Sequence, residues 1–392
     1  MTVRTYRRIA RSLGAAALLG LAAASATVHA ADPGISADRI VFGQAAAIEG
    51  PAAALGTGMR DGILAAFGEA NAAGGVKGRK LELVVRDDGY EPGKSLAATR
   101  ALLEEDKVFA LIGPVGTPTS AAALPPAASA GVPFLGPYTG AEFLRNADKA
   151  NVVNFRASYF QETEEMVERL TKDLGHSRIA ILYQNDAFGR AGLAGVQKAL
   201  DKRSMELAAF ATFERNTTAV KRALLELRKA KPEAVIIIGP YAPAGEFIRA
   251  ARQIELGAVY VNISFVGSDA LVANLGAAGA GVVVTQVVPF PRDTAIPIVD
   301  RYQKALREHV PDAFAGFISL EGYLVGRMVV MALERLEGEP SRAGLLKAFG
   351  QGEYDLDGLK LVFGAGDNQG SDAVFLTAID QQGRFQAITT LK

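Results

Sequence analysis

The chain has 392 residues, no cysteine and an apolar content of 49%, so its stability must come from buried cores and not from disulfide staples. Its 42 basic side chains are matched by 42 acidic ones, and that balance points to neither nucleic acid nor an anionic membrane as a partner.

At the start, "RTYRRIAR" is a basic segment, "LGAAALLGLAAASA" an apolar one, and Val28-His29-Ala30 ends with the small-residue spacing of a cleavage site. The expectation is a signal peptide over residues 1–30, export, and a mature chain starting at Ala31. The apolar run falls short of the ~20 residues that a membrane span needs and is broken by glycine and serine. With no cysteine after it, a lipid anchor has no attachment point. The segment takes basic residues with it, which leaves the mature chain mildly acidic. About 360 residues remain, and at ~150 per domain they predict two domains.

Apolar runs of strand length then recur: "RIVFGQAAA", "LELVVRDD", "VFALIGP" and "VPFLGP", followed by "RIAILYQND", "LAAFATF", "AVIIIGP" and "YVNISFVGS". Between them, "GMRDGILAAFGEANAA", "SLAATRALLEED", "TEEMVERLTKDLG", "TAVKRALLELRKAK" and "AGEFIRAARQIELG" carry apolar residues at the three and four spacing of surface helices. This alternation predicts βαβ units and parallel sheets. The runs are apolar throughout, as strands covered by helices on both faces require. The series restarts near residue 151 with "NVVNFRASY", which predicts two similar α/β halves. After residue 285 come "TQVVPFPRD", a helix from about Ile296 to Glu308, a long helix within "GFISLEGYLVGRMVVMALERLEG", and a hairpin in "AVFLTAIDQQGRFQAI". No low-complexity linker separates the halves, so several short crossings are expected to join them.

The turn "ALIGPVGTPTS" carries the first chemical signal. Pro118 fits the first helical position and Thr117 before it fits an N-cap. In an open α/β sheet this sets Gly116, Thr117, Thr119 and Ser120 outside the carboxyl end of a strand, where ligands gather. Backbone N–H groups, a helix dipole and hydroxyls can there bind a small anion such as a carboxylate, although a plain capped helix start has the same pattern. Further strand ends, "GPYTGAEF", "GPYAPAGEF" and "VGSDALVANL", also carry polar or aromatic groups. Asp269 is either a carboxylate placed for an ammonium or the N-cap of "SDALVANL". Tyr138, Phe188 and Tyr241 are either ordinary packing or apolar walls with a polar tip.

Catalytic and metal signals are missing. The sequence holds no GxSxG, no HExxH and no Walker lysine, and only His176 and His309 remain after processing. His176 lies in a helix-to-strand turn. "GAAGAGV" has the wrong spacing for a dinucleotide and precedes a strand. "RDD" at 86–88 reads as a structural turn into "GYEPGKS". Neither metal nor cofactor is expected, and an enzyme would need a base beside a nucleophile that the sequence does not offer.

The run "GPAAALGTGMRDGILAAFGEANAAGGVKGRKLELVVRDDGYEP" resembles the opening of type I periplasmic binding proteins of the leucine/isoleucine/valine-binding class. "YQNDAFGRAGLAGVQKAL" is similar to the start of that family's second lobe, and "ALIGPVGTPTS", "VGSDAL" and "ISLEGYLVGRMVVMAL" extend the likeness over the mature chain. The resemblance implies an α/β fold of two doubly wound Rossmann-like lobes with a ligand cleft between them, joined by three hinge crossings. Lobe 1 would comprise residues 31–155 plus 288–370, and lobe 2 residues 156–287 plus 371–392. It also implies a periplasmic protein that hands an amino acid or small carboxylate to an ABC permease and its ATPase, with nothing requiring more than a monomer. A periplasmic sensor or co-receptor for amides or aromatic acids is the alternative. By position in the family's motifs, Thr117 and its loop would hold the carboxylate, Asp269 the α-ammonium, and Tyr241 and Phe188 would line the cleft. The chain departs from the family at Tyr138, Thr139 and Gly140, where amino-acid binders have a small residue followed two positions later by a threonine. The hydroxyl is displaced by one and a ring is added, which opens the site to aromatic or unbranched ligands. Glu49 adds a negative charge near the cleft mouth.

Overall fold

The structure is a computed structural model that describes residues 31–350 and 352–392, with Asp32–Lys392 forming one compact unit. The expected signal peptide lies outside these residues. Five apolar runs form the first sheet: β1 (Arg39–Ala46), β2 (Lys80–Asp87), β3 (Ala110–Ile112), β4 (Phe134–Leu135) and β5 (Val152–Val153), in the order β2-β1-β3-β4-β5. All four pairings are parallel, because helices α1 (Ala53–Ala72), α2 (Pro92–Glu104) and α3 (Thr117–Ser129) return the chain between the first four strands and a loop with a short turn at Glu142–Leu144 returns it from β4 to β5. On α1 the buried face is Leu55, Met59, Ile63 and Phe67, a repeat of four that keeps one side on the sheet.

The second sheet repeats the same winding. Helix α4 (Tyr159–Lys172) leads into β6 (Ile179–Gln184), α5 (Ala187–Asp201), β7 (Ala209–Phe213), α6 (Lys221–Lys229), β8 (Ala234–Ile238), α7 (Tyr241–Gln253), β9 (Val259–Asn262), α8 (Ser268–Leu275) and β10 (Val283–Gln286). Its parallel part runs β7-β6-β8-β9-β10, the order of the first sheet. "NVVNFRASY" therefore divides differently from the sequence reading: its Val152 pairs with Phe134 in the first sheet, and the second series begins only at α4. There Ser158 supplies a capping box with Gln161, a bond of 3.3 Å to the Gln161 N–H being answered by one of 2.7 Å from the Ser158 N–H.

After β10 the chain returns to the first sheet. Helices α9 (Pro297–His309) and α10 (Phe317–Glu334) pack on α1. Glycine makes the α1–α10 crossing possible, since a side-chain carbon on Gly62 would lie 2.0 Å from the Ser319 carbonyl oxygen and one on Gly322 2.4 Å from that of Met59. Helix α11 (Arg342–Phe349) and an antiparallel hairpin, β11 (Gly352–Leu356) with β12 (Leu359–Phe363), follow. A third crossing brings in β13 (Phe375–Ile379), which pairs antiparallel with β10, and β14 (Phe385–Ile388), which pairs antiparallel with β13 at the sheet edge. This last pair is the hairpin expected from "DQQGR", whereas β11–β12 is absent from the sequence reading.

The two sheets meet through the loops at their carboxyl ends. Gln184 Nε2 donates to Tyr90 OH at 3.2 Å, Asn216 Nδ2 donates to Glu91 at 2.7 Å and to the Gly89 carbonyl at 3.1 Å, and Tyr138 OH donates to the Ser264 carbonyl at 3.3 Å. Each bond joins a loop after a strand of one sheet to the end of a strand, or the loop after it, in the other. Strand ends next to a reversal of strand order are where α/β sheets bind ligands, and here two such edges face each other.

Candidate functional site

The turn after β3 is built around Gly116, which has a φ of 100° and caps α3. This moves the helix start by one residue from the sequence expectation: Thr117 is the first helical residue and its side chain makes no cap bond. The cause is steric. A side-chain carbon at position 116 would lie 2.4 Å from the Tyr90 ring and 2.6 Å from the Thr119 hydroxyl, so only glycine allows Tyr90 to lie over the turn. Released from capping, the Thr117 hydroxyl pairs at 2.6 Å with that of Thr139, which donates to Tyr159 OH at 3.2 Å. The Thr119 hydroxyl takes no part, because it donates back to the Val115 carbonyl in its own turn. Thr117 and Thr139 are both buried, and they stand at the positive end of a 13-residue helix.

Around these hydroxyls lies a wall of rings. Phe265, in the loop after β9, is at 4.5 Å from Phe188, 5.3 Å from Tyr138 and 5.9 Å from Tyr90, and Tyr159 is 5.5 Å from Phe188. Rings from both sheets thus interleave, and all are buried. Burial pushes the phenols of Tyr90 and Tyr138 well above their usual range, so both stay neutral, Tyr138 donating to Ser264 and Tyr90 accepting from Gln184. Tyr90 is aimed inward by the "RDDG" turn: Asp88 accepts from the Tyr90 N–H at 2.8 Å and Asp87 from the N–H of Ile48 at 2.8 Å. Beneath the rings, the guanidinium of Arg156 sits 5.1 Å from the Tyr138 ring centre and bonds Glu162 at 3.0 Å. Sequence reasoning singled out Tyr138 and Phe188 but missed Tyr90, Tyr159, Phe265 and Arg156. The one available signal was position, since Tyr90 follows a strand end just as Tyr138 does.

Tyr241 and Asp269 stand elsewhere on the same interface. Gly267, left-handed at φ 80°, caps α8, so Asp269 lies in the first turn and is not the cap. Its carboxylate instead accepts from the Phe317 N–H at the start of α10, at 3.1 Å. Burial pushes its pKa up to about 6 against that bond and the attraction of Arg292. It lines a cavity of about 310 Å³ with Ala54, Thr57, Asp61, Phe314 and Ile318. Tyr241 begins α7, half-buried beside Gly267 and facing the Ala54 backbone. Thr117, Thr139, Tyr138 and Phe188 are therefore gathered in one buried cluster, Gly116 forms its turn, and Tyr241 and Asp269 line the neighbouring stretch where α7 and α8 meet α1. Glu49 is exposed beyond β1. Among the described residues, no group of three or more acidic or histidine side chains is placed to hold a metal ion, and no helix is long and apolar enough to cross a membrane.

A family model described as periplasmic binding protein matches residues 39–384, from β1 to the turn before β14. The leucine-, isoleucine-, valine-, threonine-, and alanine-binding protein of Pseudomonas aeruginosa is 25% identical over 289 residues, or 73% of this chain and 74% of the relative. Among solved structures, a possible leucine/isoleucine/valine-binding protein from Rhodopirellula baltica has a TM-score of 0.86 at 37% identity, covering 92% of this chain and 98% of that one. The substrate-binding periplasmic protein of Ralstonia solanacearum has a TM-score of 0.83 at 27% identity, covering 89% and 100%. With likeness of that extent over two facing α/β sheets, the chain belongs to the periplasmic binding proteins, in their leucine/isoleucine/valine-binding family.

Proposed function

We propose that this protein is exported to the periplasm, binds an amino acid or related small carboxylate between its lobes, and delivers it to an ABC permease and ATPase by hinge closure, performing no chemistry of its own. The lobes would be residues 31–155 with 288–370 and residues 156–287 with 371–392. The observation that carries this reading is the meeting of side chains from both sheets over the Thr117–Thr139 hydroxyl pair at the start of α3. A carboxylate set there gains the hydroxyls and the first-turn N–H groups of α3. Closure needs no other driving force than tighter binding to the closed form, in which Phe188 and Phe265 of the second lobe complete a wall begun by Tyr90 and Tyr138 of the first. The binding of leucine, isoleucine and valine named for the relatives supports an amino acid. The ring wall favours a second reading, an aromatic or otherwise flat acid, whose face matches rings better than a branched chain does.

A thermal-shift screen of protein freed of bound ligand by unfolding and refolding tests this. Ligand at ~100 times its dissociation constant raises stability by about 2.7 kcal/mol. A response to α-amino acids but not to the same acids lacking the amine supports the first reading. A response confined to aromatic carboxylates supports the second, and no response from any carboxylate removes both.

A further inference from the structure

Where the chain first passes between the sheets, two carboxylates compete for one guanidinium. Arg156, in the segment between β5 and α4, is fully buried. Its Nη2 donates to Glu162 and to the Ser264 hydroxyl. Glu162 is satisfied on every side, accepting also from the Ser264 N–H at 3.0 Å, the Ser264 hydroxyl at 2.9 Å and the Thr285 hydroxyl at 2.6 Å. Glu321 on α10 is only 3% exposed and comes within 3.5 Å of Arg156 Nη1. Yet Glu321 Oε1 and the Nη1 and Nε of Arg156 have no hydrogen-bond partner among the described residues. The other nearby cation, Arg145, donates to the carbonyls of Ala141 and Arg156 and to Gln369, and Glu142 faces it as its own counter-charge. Tyr138 covers the remaining side of the guanidinium. Glu321 is thus the surplus negative charge of a buried cluster.

The cluster spans the parts that hinge closure would move. Glu162 and Ser264 go with the second sheet. Tyr138 goes with the first, and so does Glu321, because α10 is locked to α1 at Gly62 and Gly322. Opening the cleft would carry Glu321 and Tyr138 away from Arg156 and Ser264 and admit water. A carboxylate with no hydrogen bond is costly as a buried anion and ordinary in water. Resting on the hinge closure proposed above, we propose that Glu321 is a proton latch: the cleft closes with uptake of a proton from solvent onto its carboxylate, so closure strengthens as pH falls.

The sign follows from the two environments. Burial, with Arg156 and more weakly Arg145 pulling down and Glu162 pushing up, raises Glu321 to about 7 in the closed arrangement, against an ordinary value of 4.5 once solvated. Between those values the closed form holds the extra proton, so closure gains as pH drops below 7 and the gain is complete near 4.5. Above 7 both forms are ionised and the gain is gone.

Small-angle scattering of the purified protein at about pH 8.5 and about pH 5.5 tests this, with a mixture of the common L-amino acids and benzoate as an independent closing probe. The expected result is a smaller radius of gyration at the lower pH, from a shift in the open–closed ratio of about thirtyfold. Glu321→Gln and Glu321→Met, both uncharged and of similar length, should abolish that dependence, and two variants guard against one that fails to fold. If the mixture compacts the wild type while pH does not, the hinge stands and the latch falls. If a folded variant keeps the wild-type pH response, another group such as Asp88 or Asp269 is responsible and the latch again falls. If neither pH nor the mixture compacts the protein, hinge closure itself is wrong and the latch goes with it.

Discussion

At the scale of single residues, Thr117 and Asp269 make different predictions because their surroundings differ. The Thr117 hydroxyl bonds only another hydroxyl, that of Thr139, so Thr117→Val leaves no charge stranded and keeps the volume. Its effect should fall on the ligand: affinity for the carboxylate that the screen identifies should drop roughly tenfold, the worth of one hydrogen bond to a charged group, while the melting temperature barely moves. Calorimetric titration checks the first and a melt the second, and an unchanged affinity would leave α3 as an ordinary helix start. Asp269 is held by the Phe317 N–H and is raised to about 6 by burial. A raised carboxyl stabilises the fold below its ordinary value of 3.8, and that contribution is lost as pH rises through about 6. Asp269→Asn keeps an oxygen for the Phe317 N–H and removes the buried charge. It should therefore melt higher than wild type at pH 8 and equal to it below pH 4, by about 3 kcal/mol at the upper end. If it also loses affinity for amine-bearing ligands but not for plain carboxylates, the ammonium reading of Asp269 stands.

Elements bring in the turns that hold them. The turn before α3 needs glycine twice over, for its φ of 100° and for the Tyr90 ring and Thr119 hydroxyl that a side chain would strike. Gly116→Ala should cost about 1–3 kcal/mol from strain and displaced packing. Gly50, with a φ of 80° and nothing within 4 Å of a side-chain carbon, isolates the backbone part. Denaturant unfolding should show Gly50→Ala costing about 1 kcal/mol, so the excess at Gly116 measures the ring contact. Equal losses would mean that Tyr90 yields freely. The same contrast shows what the sequence could reveal. Strands such as β6 and β8 were legible because parallel strands covered on both faces are apolar along their length. Hairpin β11–β12 carries an equally local signal that the sequence reading passed over: "EYDLDGLKLVF" alternates exposed and buried residues on both sides of Asp357-Gly358, a two-residue turn with both φ positive. Thr117, Thr139, Tyr138 and Phe188 were legible because a turn after a strand has a local signature. Phe265, Arg156 and Glu321 were not, since Arg156 meets Ser264 and Glu321 across more than 100 residues and nothing local marks such a meeting.

For the whole molecule, the hinge closure proposed above makes the balance between open and closed forms the decisive quantity, one that could be changed without touching the ligand cluster. Asn216, in the loop before α6, donates to Glu91 and to the Gly89 carbonyl at the rim of the cleft, where Arg215 also approaches Glu91 at 3.5 Å. In the proposed open form those groups would be hydrated, so their bonds would count only toward closure. Asn216→Ala should weaken the closed form by about 1 kcal/mol, and because ligand binds tightly only to that form, affinity should fall about fivefold. The factor should be the same for every ligand, since the change alters the protein's own equilibrium and not its fit. Thr117→Val, in contrast, should reduce affinity for carboxylates selectively. Dissociation constants for three or more ligands in both variants separate the cases. A uniform loss in Asn216→Ala beside a selective one in Thr117→Val is what a hinged trap requires. A rigid protein, which has no open form to favour, would lose nothing at Asn216 because that side chain lies outside the ligand cluster.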